Sequence, residues 1–260
     1  MHAQATKNKL ELLGKPTPGS LMIGKATNAF EVYLNDVRLK VDTDGFFVFG
    51  FDRDEIGKQI LKVIYKNNKT EIKELMLDKR AYDIQKINDL DKKYVSPPKD
   101  VLDKIERETL LMTEARKTVL KTDTAYYLTG FMRPVEGGRI SGVYGGQRIL
   151  NGEAKSPHNG LDIALPAGTP VYAMADGKVC ISGDNFYYNG NFVLLDHGQG
   201  LTSVYVHMQK TFVVTGQKVT KGQKIGEVGT TGRSTGPHLH WGVQWYKKRI
   251  DPQTVLGLNF

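Results

Sequence analysis

The chain has 260 residues, of which 40% are hydrophobic and 25% are charged, and it carries a formal net charge of +8. These proportions are ordinary for a globular protein and exclude the collagen-like and intrinsically disordered classes. The positive charge favours a polyanionic partner such as nucleic acid, an anionic membrane surface or an acidic wall polymer. No RNA-binding aromatic-basic motif and no Cys/His finger pattern occurs, and we therefore expect no nucleic-acid partner.

Cysteine content and hydropathy exclude further classes of protein. Cys180 is the only cysteine, which rules out an intramolecular disulfide and a thiolate zinc site. No apolar run reaches the length of about eighteen residues that a membrane span needs. Residues 1–5 contain an Ala-x-Ala step like the end of a secretory signal, without an apolar core before it. We therefore expect an exported protein in its mature form.

The pattern along the chain predicts a mainly β protein in four parts. Residues 1–19 are polar and contain two prolines, and we expect a flexible lead-in. Residues 20–95 alternate apolar and polar positions between turns, which predicts a small β-sandwich as an accessory domain. Residues 96–136 begin with Ser-Pro-Pro and continue with apolar residues at helical spacing, which predicts a linker helix and a connecting segment. Residues 137–260 are rich in glycine turns between short apolar runs, which predicts an antiparallel β domain.

Histidines in two places predict a metal site. His238 and His240 stand one residue apart in a predicted strand, where such positions share a face. We expect one of them to bind a metal and the other to contact water or substrate. His158 and Asp162 are four residues apart, with Gly160 allowing the backbone to fold between them, and imidazole nitrogen and carboxylate oxygen are good zinc ligands. Two histidines and one aspartate leave an open coordination position, as catalytic zinc requires.

Two further histidines complete the set. His207 ends another predicted strand, and we expect Tyr205 on the same face, where it holds the ring or contacts substrate. His197 lies in a predicted turn and is expected to be structural. The sequence has no Gly-x-Ser-x-Gly elbow, no His-Glu-x-x-His helix and no phosphate-binding loop, which argues against a serine hydrolase, a helix-based zinc protease and a nucleotide-binding protein.

Residues 137 to 252 resemble the lysostaphin/LytM-type peptidoglycan endopeptidases. The likeness covers the histidine pairs and several surrounding motifs: Tyr144-Gly145-x-x-Arg148, Pro166-Ala167-Gly168-Thr169-Pro170-Val171, Ala175-Asp176-Gly177, Asp196-His197-Gly198 and Gly229-x-Thr231-Gly232-x-Ser234-Thr235-Gly236. The resemblance implies a small antiparallel β domain with one zinc ion bound by His158, Asp162 and His240. It also implies that His207 and His238 assist the reaction, although which of them acts as the base stays open.

The resemblance also implies a substrate and a location. We expect the chain to hydrolyse peptide cross-links between peptidoglycan stem peptides, at D-alanyl-diaminopimelate bonds, with Gly-Gly cleavage and carboxypeptidase trimming as alternatives. Arg148, within the matching pattern, and Tyr205 are expected to bind substrate. The protein is expected in the periplasm or otherwise exported and associated with the cell wall, and a membrane or envelope regulatory protein is a further candidate partner. The oligomeric state is not predicted.

Two other functions compete with this one. A latent or non-catalytic LytM-like regulator would activate another wall hydrolase, but such relatives have lost ligand or catalytic histidines, and all five positions are intact here. Residues 213–226 also space valine and glycine as lipoyl or biotinyl carrier domains do, without the acceptor lysine and its usual methionine neighbour. We further hypothesise that the N-terminal β domain restrains access to the active site.

Overall fold

The computed structural model of the protein describes residues 7–87, 97–119 and 122–258. Strands dominate this part of the chain, most strand pairs are antiparallel, and one α-helix occurs in it. The mainly β fold class predicted from the sequence is therefore confirmed. None of the helices described is long and apolar enough to cross a membrane.

The N-terminal third forms two small antiparallel sheets. The first sheet has the order β1-β2-β5 and the second the order β4-β3-β6-β7. Their strands are β1 (Lys9–Leu13), β2 (Leu21–Thr27), β3 (Ala29–Leu34), β4 (Val37–Arg38), β5 (Phe46–Gly50), β6 (Gly57–Tyr65) and β7 (Thr70–Leu77). Alternate residues of β6 are buried, as expected for a strand with one face on a core. Phe47 of β5 and Val63 of β6 are both fully buried there.

The expectation of a flexible lead-in is wrong for residues 9–13. Strand β1 pairs along its whole length with β2, from Lys9 opposite Thr27 to Leu13 opposite Ile23. Leu10 and Leu12 pack against the hydrophobic core. These apolar contacts hold the segment in the sheet despite its polar neighbours. Residues 1–6 lie outside the described part of the chain.

A helix and a short mixed sheet connect the two halves. Helix α1 (Leu102–Val119) corresponds to the predicted linker helix, and its buried residues are Ala115 and Val119. Before it, β8 (Ile84–Ile87) pairs in parallel with β10 (Gln147–Leu150), which in turn pairs with β11 (Glu153–Ala154). The chain leaving the N-terminal sandwich thus contributes a strand beside the C-terminal half.

The C-terminal half is built on one ten-stranded sheet, whose main path runs β17-β14-β15-β16-β19-β12-β9. Its strands are β9 (Arg139–Gly142), β12 (Leu161–Ala164), β13 (Pro170–Tyr172), β14 (Gly177–Phe186), β15 (Gly190–Gly198), β16 (Leu201–Thr211), β17 (Lys218–Val219), β18 (Lys224–Val228), β19 (His238–Trp245) and β20 (Lys248–Ile250). One face of the central strands carries a core that includes Trp241, Leu239 and Ile163, all fully buried.

The two halves are held together by packing and by an ion pair whose carboxylate is buried. A Cβ atom on Gly50 would come within 2.5 Å of the Cδ1 atom of Ile250, which shows how closely β5 and β20 approach. Arg80 donates to the Asp251 carboxylate at 2.6 Å, and the Asp251 side chain is only 3% exposed. The N-terminal sandwich therefore packs directly on the C-terminal sheet.

Candidate active site

The pairing of β12 with β19 brings an aspartate and a histidine together. Asp162 lies directly opposite His240 in this antiparallel ladder, and Ala164 lies opposite His238. Directly paired residues project from the same face of a sheet, and His238 and His240 share that face because they are two positions apart. The Nδ1 atom of His240 is 2.7 Å from Oδ1 of Asp162.

His158 reaches the same point from the loop before β12. Its backbone bonds with Gly145 and Gly146 fix the loop, and its Nε2 atom lies 3.0 Å from both Asp162 Oδ1 and His240 Nδ1. A Cβ atom on Gly160 would stand 2.7 Å from Nε2 of His240. Only glycine therefore lets the loop pass this close to the histidine.

The three converging atoms have the chemistry of a metal site. The Nδ1 atom of His158 is 2.9 Å from the carbonyl of Val143, and since a carbonyl only accepts, Nδ1 carries a proton, which leaves Nε2 as the ring nitrogen that can bind a metal. Burial acts to raise the pKa of Asp162, but the close contacts with the His158 and His240 rings outweigh it and hold that pKa well below its usual range. Nε2 of His158 and Oδ1 of Asp162 thus lie 3.0 Å apart, and a cation bound to both atoms would stabilise this arrangement.

The spacing of these atoms also fits a metal. The three ligand atoms are 2.7 to 3.0 Å apart, slightly closer than the roughly 3.3 Å between ligands around a tetrahedral ion with bonds of about 2.0 Å. Among the described residues, His158, Asp162 and His240 are the group of histidine and acidic side chains whose positions suit a shared metal ion. Three protein ligands leave one position open.

His207 faces this open side because its strand contains an irregularity. In the pairing of β15 with β16, the register shifts between the Asn191–Met208 and Val193–Tyr205 pairs, and His207 has a left-handed backbone with a φ of 64°. Its Nδ1 atom donates to the carbonyl of Thr231 at 2.9 Å, which leaves Nε2 as the acceptor. Burial lowers the pKa of His207 to about 4, so the ring is neutral at pH 7.

His238 is the second histidine on the open side. Its Nδ1 atom is 2.8 Å from the carbonyl of Gly236 and 3.2 Å from the Ser234 hydroxyl. Its Nε2 atom is 4.0 Å from Asp162 Oδ1. The ring centroids of His207 and His238 are 4.7 Å apart. Two oriented imidazoles therefore stand beside the candidate ligand cluster of His158, Asp162 and His240.

Two surface cavities adjoin the ligand cluster. A smaller cavity of about 220 Å³ is bordered by His158, Asp162 and Asp83 of the N-terminal half. A larger one of about 520 Å³ is bordered by His240 and by helix α1. Because the side chains of the three ligands are 19% to 26% exposed, the site is open to a substrate.

The structure contradicts the expected role of Tyr205 in substrate binding. Tyr205 lies opposite Trp241 in the ladder, on the core face, whereas Val206 lies opposite His240. Its side chain is completely buried, and its hydroxyl bonds with the backbone N–H of Met174 and with Ser203. The irregularity at His207 breaks the alternation on which the expectation rested. The side chain of Arg148, the other expected substrate-binding residue, lies outside the described part of the structure.

Sequence reasoning missed the groups that orient the histidines. These are the carbonyl oxygens of Val143, Thr231 and Gly236, which accept from His158, His207 and His238. Such partners fix the ring orientation and tautomer of a metal-site histidine. Backbone acceptors carry no residue-type signal, although the glycine- and threonine-rich run 229–236 marks the loop that supplies two of them.

An antiparallel β-sheet that brings together two histidines and an aspartate suited to a shared metal ion, with two further histidines beside them, is the arrangement expected of a metal-dependent hydrolase domain. Comparison with known proteins identifies its family: residues 156–252 match the model of Peptidase family M23. The chain therefore contains an M23 metallopeptidase domain, and the recognition of the lysostaphin/LytM-type family in the sequence is confirmed.

Several curated relatives come from Vibrio cholerae, and two of them show the extent of the similarity. The chain is 51% identical to the peptidoglycan DD-endopeptidase ShyA over 86 residues, which are 33% of this chain and 20% of the relative. It is 41% identical to the peptidoglycan DD-endopeptidase ShyC over 128 residues, which are 48% of this chain and 29% of that protein. The chain thus spans less than a third of the length of either relative.

Among the solved structures that resemble the chain is one that matches it over nearly its whole length. It is a candidate M23 peptidase from Pseudomonas aeruginosa, 29% identical, with a TM-score of 0.66. The match covers 94% of this chain and 96% of the other. The arrangement of N-terminal strands, helix and C-terminal sheet is therefore shared with that protein.

Proposed function

We propose that the protein is a zinc-dependent endopeptidase that hydrolyses peptide cross-links in bacterial peptidoglycan, at D-alanyl-diaminopimelate bonds. The observation that carries the proposal is the convergence of His158, Asp162 and His240 on one point, with His207 and His238 beside it. The relatives named peptidoglycan DD-endopeptidases support the substrate class. The periplasm or another exported, wall-associated location follows from this substrate.

Zinc suits the ligand set, since two imidazole nitrogens and one carboxylate oxygen are the donors it takes in catalytic sites. When bound, zinc would polarise the scissile carbonyl and lower the pKa of a water molecule. His158 and His240 supply the nitrogen ligands. Asp162 supplies the anionic oxygen and stays ionised because of its histidine neighbours.

Proton transfer falls to His207 and His238 in this proposal. A neutral His207, whose Nδ1 donates to Thr231, presents Nε2 as an acceptor for the proton of the attacking water. His238, bonded through Nδ1 to Gly236, can then stabilise the developing oxyanion or protonate the leaving amine. Among the described residues that line the two cavities, the only carboxylates are those of Asp162, assigned to the metal, and Asp83. This lining fits a histidine as the general base.

The N-terminal half is proposed to restrict access to this site. Asp83 contributes to the wall of the smaller cavity, and helix α1 contributes to the wall of the larger one. Groups outside the M23 domain thus border both cavities beside the site. Substitutions that loosen the contact of Lys248 with Glu55, now 2.7 Å, should raise hydrolysis of intact sacculi more than of small muropeptides. An equal effect on both substrates would argue against restriction.

The central test uses purified, zinc-loaded protein and peptidoglycan sacculi of the diaminopimelate type, with released muropeptides identified by mass spectrometry. We expect loss of cross-linked dimers and new free amines on diaminopimelate. His240→Ala and His207→Ala variants should be inactive, the first without zinc and the second with zinc still bound. Release of glycine-terminated fragments from pentaglycine walls alone, or no release at all, would contradict the proposed bond.

A further inference from the structure

The larger cavity beside His240 contains a positive charge that the proposed reaction does not use. Its floor follows β19 and β16 away from the metal site, and helix α1 forms the opposite wall. Three cationic residues border it, and they are Arg116 of α1, Lys247 and Arg249. No aspartate or glutamate is among its lining residues in the described part of the chain.

Arg116 is held in the cavity by the docking of α1. Glu108, two turns earlier on the helix, accepts from the backbone N–H of Tyr187 at 2.8 Å. The guanidinium of Arg116 lies 3.4 Å from the hydroxyl of Thr202 on β16. No carboxylate lies within ion-pair distance of Arg116 among the residues that the structure describes.

Arg249 also has no ion-pair partner among the described residues. It lies opposite Gln244 in the pairing of β19 with β20, and Gln244 is a buried residue that also lines the cavity. Asp52 acts on Arg249 electrostatically, but no ion pair within 4.0 Å joins Arg249 to any described acidic residue. The pKa of each guanidinium is lowered chiefly by burial, and that of Arg116, about 10, also by the charge of Arg249.

Arg116 and Arg249 are half-buried cations in one cavity without a paired carboxylate in the part of the chain that the structure describes, and an anion bound between them would lower the free-energy cost of that arrangement. Guanidinium groups bind carboxylates through paired hydrogen bonds. We propose that Arg116 and Arg249 form a subsite that binds a free carboxylate of the substrate peptide. The proposal rests on the proposed function for the identity of the substrate, an acidic peptide, while the subsite itself is defined by the charges in the cavity.

The position of the subsite limits which carboxylate it binds. Gln244, the partner of Arg249, is four residues beyond His240 along β19, a distance of roughly 13 Å at the rise of a strand. The bound carboxylate is therefore carried by a part of the peptide distant from the scissile bond. Arg116 makes helix α1, which precedes the M23 domain, a part of substrate recognition.

The test measures binding with the zinc-loaded His207→Ala variant, so that no substrate is consumed. Two probes are compared by calorimetry: a cross-linked muropeptide dimer with its carboxylates free, and the same dimer with its carboxylates converted to amides. We expect the free-carboxylate dimer to bind at least tenfold more tightly, as hydrogen bonds between charged groups allow. Adding Arg116→Gln or Arg249→Gln should remove this preference, and Arg→Lys at either position should restore part of it.

Arg107→Gln is the matched control, because Arg107 is an exposed residue of the same helix. It should leave the preference intact. The amidated dimer guards against misfolding, since a damaged protein would lose affinity for both probes. Equal binding of the two dimers by the parent, or a preference that survives both Arg→Gln changes, would overturn the subsite.

Cleavage of the same dimers by the native protein, which retains His207, tests the proposed endopeptidase activity independently of the proposed subsite. Cleavage without a carboxylate preference would retain the endopeptidase and remove the subsite. A carboxylate preference in binding without cleavage would retain the subsite and remove the proposed endopeptidase activity. Absence of both would overturn both proposals.

Discussion

Gly160 and His240 approach so closely that a Cβ atom on Gly160 would lie 2.7 Å from Nε2 of the histidine and 2.5 Å from the carbonyl oxygen of Trp241. The Trp241 carbonyl belongs to a paired strand and cannot move away. An added side chain must therefore displace the loop at position 160, the histidine ring or both, so the glycine helps to set the position of His240 in the candidate metal site.

Gly160→Ala is expected to lower metal affinity by about ten- to a hundredfold, the range typical of changes that misplace a ligand from outside the coordination sphere. Competition with a chelating dye would measure this affinity. Gly146→Ala, also beside His158, is the control, because its Cβ would meet nothing closer than 3.5 Å. Equal affinity in the Gly160→Ala variant and the native protein would contradict the idea that the close approach of residue 160 positions His240 for the metal.

His207→Ala should reduce kcat by about a hundred- to ten-thousandfold, the range of general acid–base catalysis, because the proposed proton acceptor is lost. Its metal content should stay at one ion per chain, since His207 is not one of the three clustered ligands. Turnover of a muropeptide dimer and metal analysis of the same sample would measure both. Loss of metal together with activity would instead make His207 a ligand.

The stability of the protein should fall as the pH decreases from about 6.5 to about 4. His197 is completely buried, and burial lowers its pKa to about 4 despite its bond with the Asp176 carbonyl. The unfolded chain takes up this proton near pH 6.5 and the folded protein does not, so acid favours unfolding by up to about 3 kcal/mol.

The neighbouring Asp196 acts in the opposite direction, since burial raises its pKa to about 6. The measurement is therefore a difference: urea unfolding of the native protein and of His197→Asn, each from pH 7 to pH 4. The advantage of the native protein should shrink as the pH falls. A constant difference across this range would mean that His197 is not held neutral.

Arg80→Met should destabilise the protein by about 2–3 kcal/mol, because it leaves the buried Asp251 carboxylate without its counter-charge. Asp251 also accepts from the N–H of Gln253 and so holds the turn at Pro252–Val255. Urea denaturation would measure the loss. Lys9→Ala is the control, since its ion pair with Glu11 is exposed on both sides and should contribute little. Similar losses of stability in the two variants would indicate that the Arg80–Asp251 ion pair contributes no more than an exposed one.

The local part of the site could be read from the sequence. Strand alternation places His238 and His240 on one face, and the structure pairs them with Ala164 and Asp162 on that face. The same rule failed at Tyr205, because the left-handed conformation of His207 depends on contacts with Asn189 and Thr231 that lie far along the chain. Alternation rules describe regular strands only.

The charged cavity shows a second limit. Arg116 follows Ala115, a buried residue of α1, and this places a charge beside the apolar stripe of the helix. This position in the helix does not show which group Arg116 meets in the folded protein. Arg249 lies 133 residues further along the chain, and only the docking of α1 on the sheet brings the two guanidinium groups together.

The parallel pairing of β8 with β10 has a consequence for any attempt to cut the protein at the sandwich. Removing the residues before the helix would strip β10 of a neighbour and leave its N–H and C=O groups facing solvent beside the loop that carries His158. Exposed strand edges recruit other strands. A fragment beginning near residue 96 should therefore self-associate through β10, and light scattering would detect those oligomers. A rise in the activity of such a fragment would then reflect its self-association as well as easier access of substrate to the site.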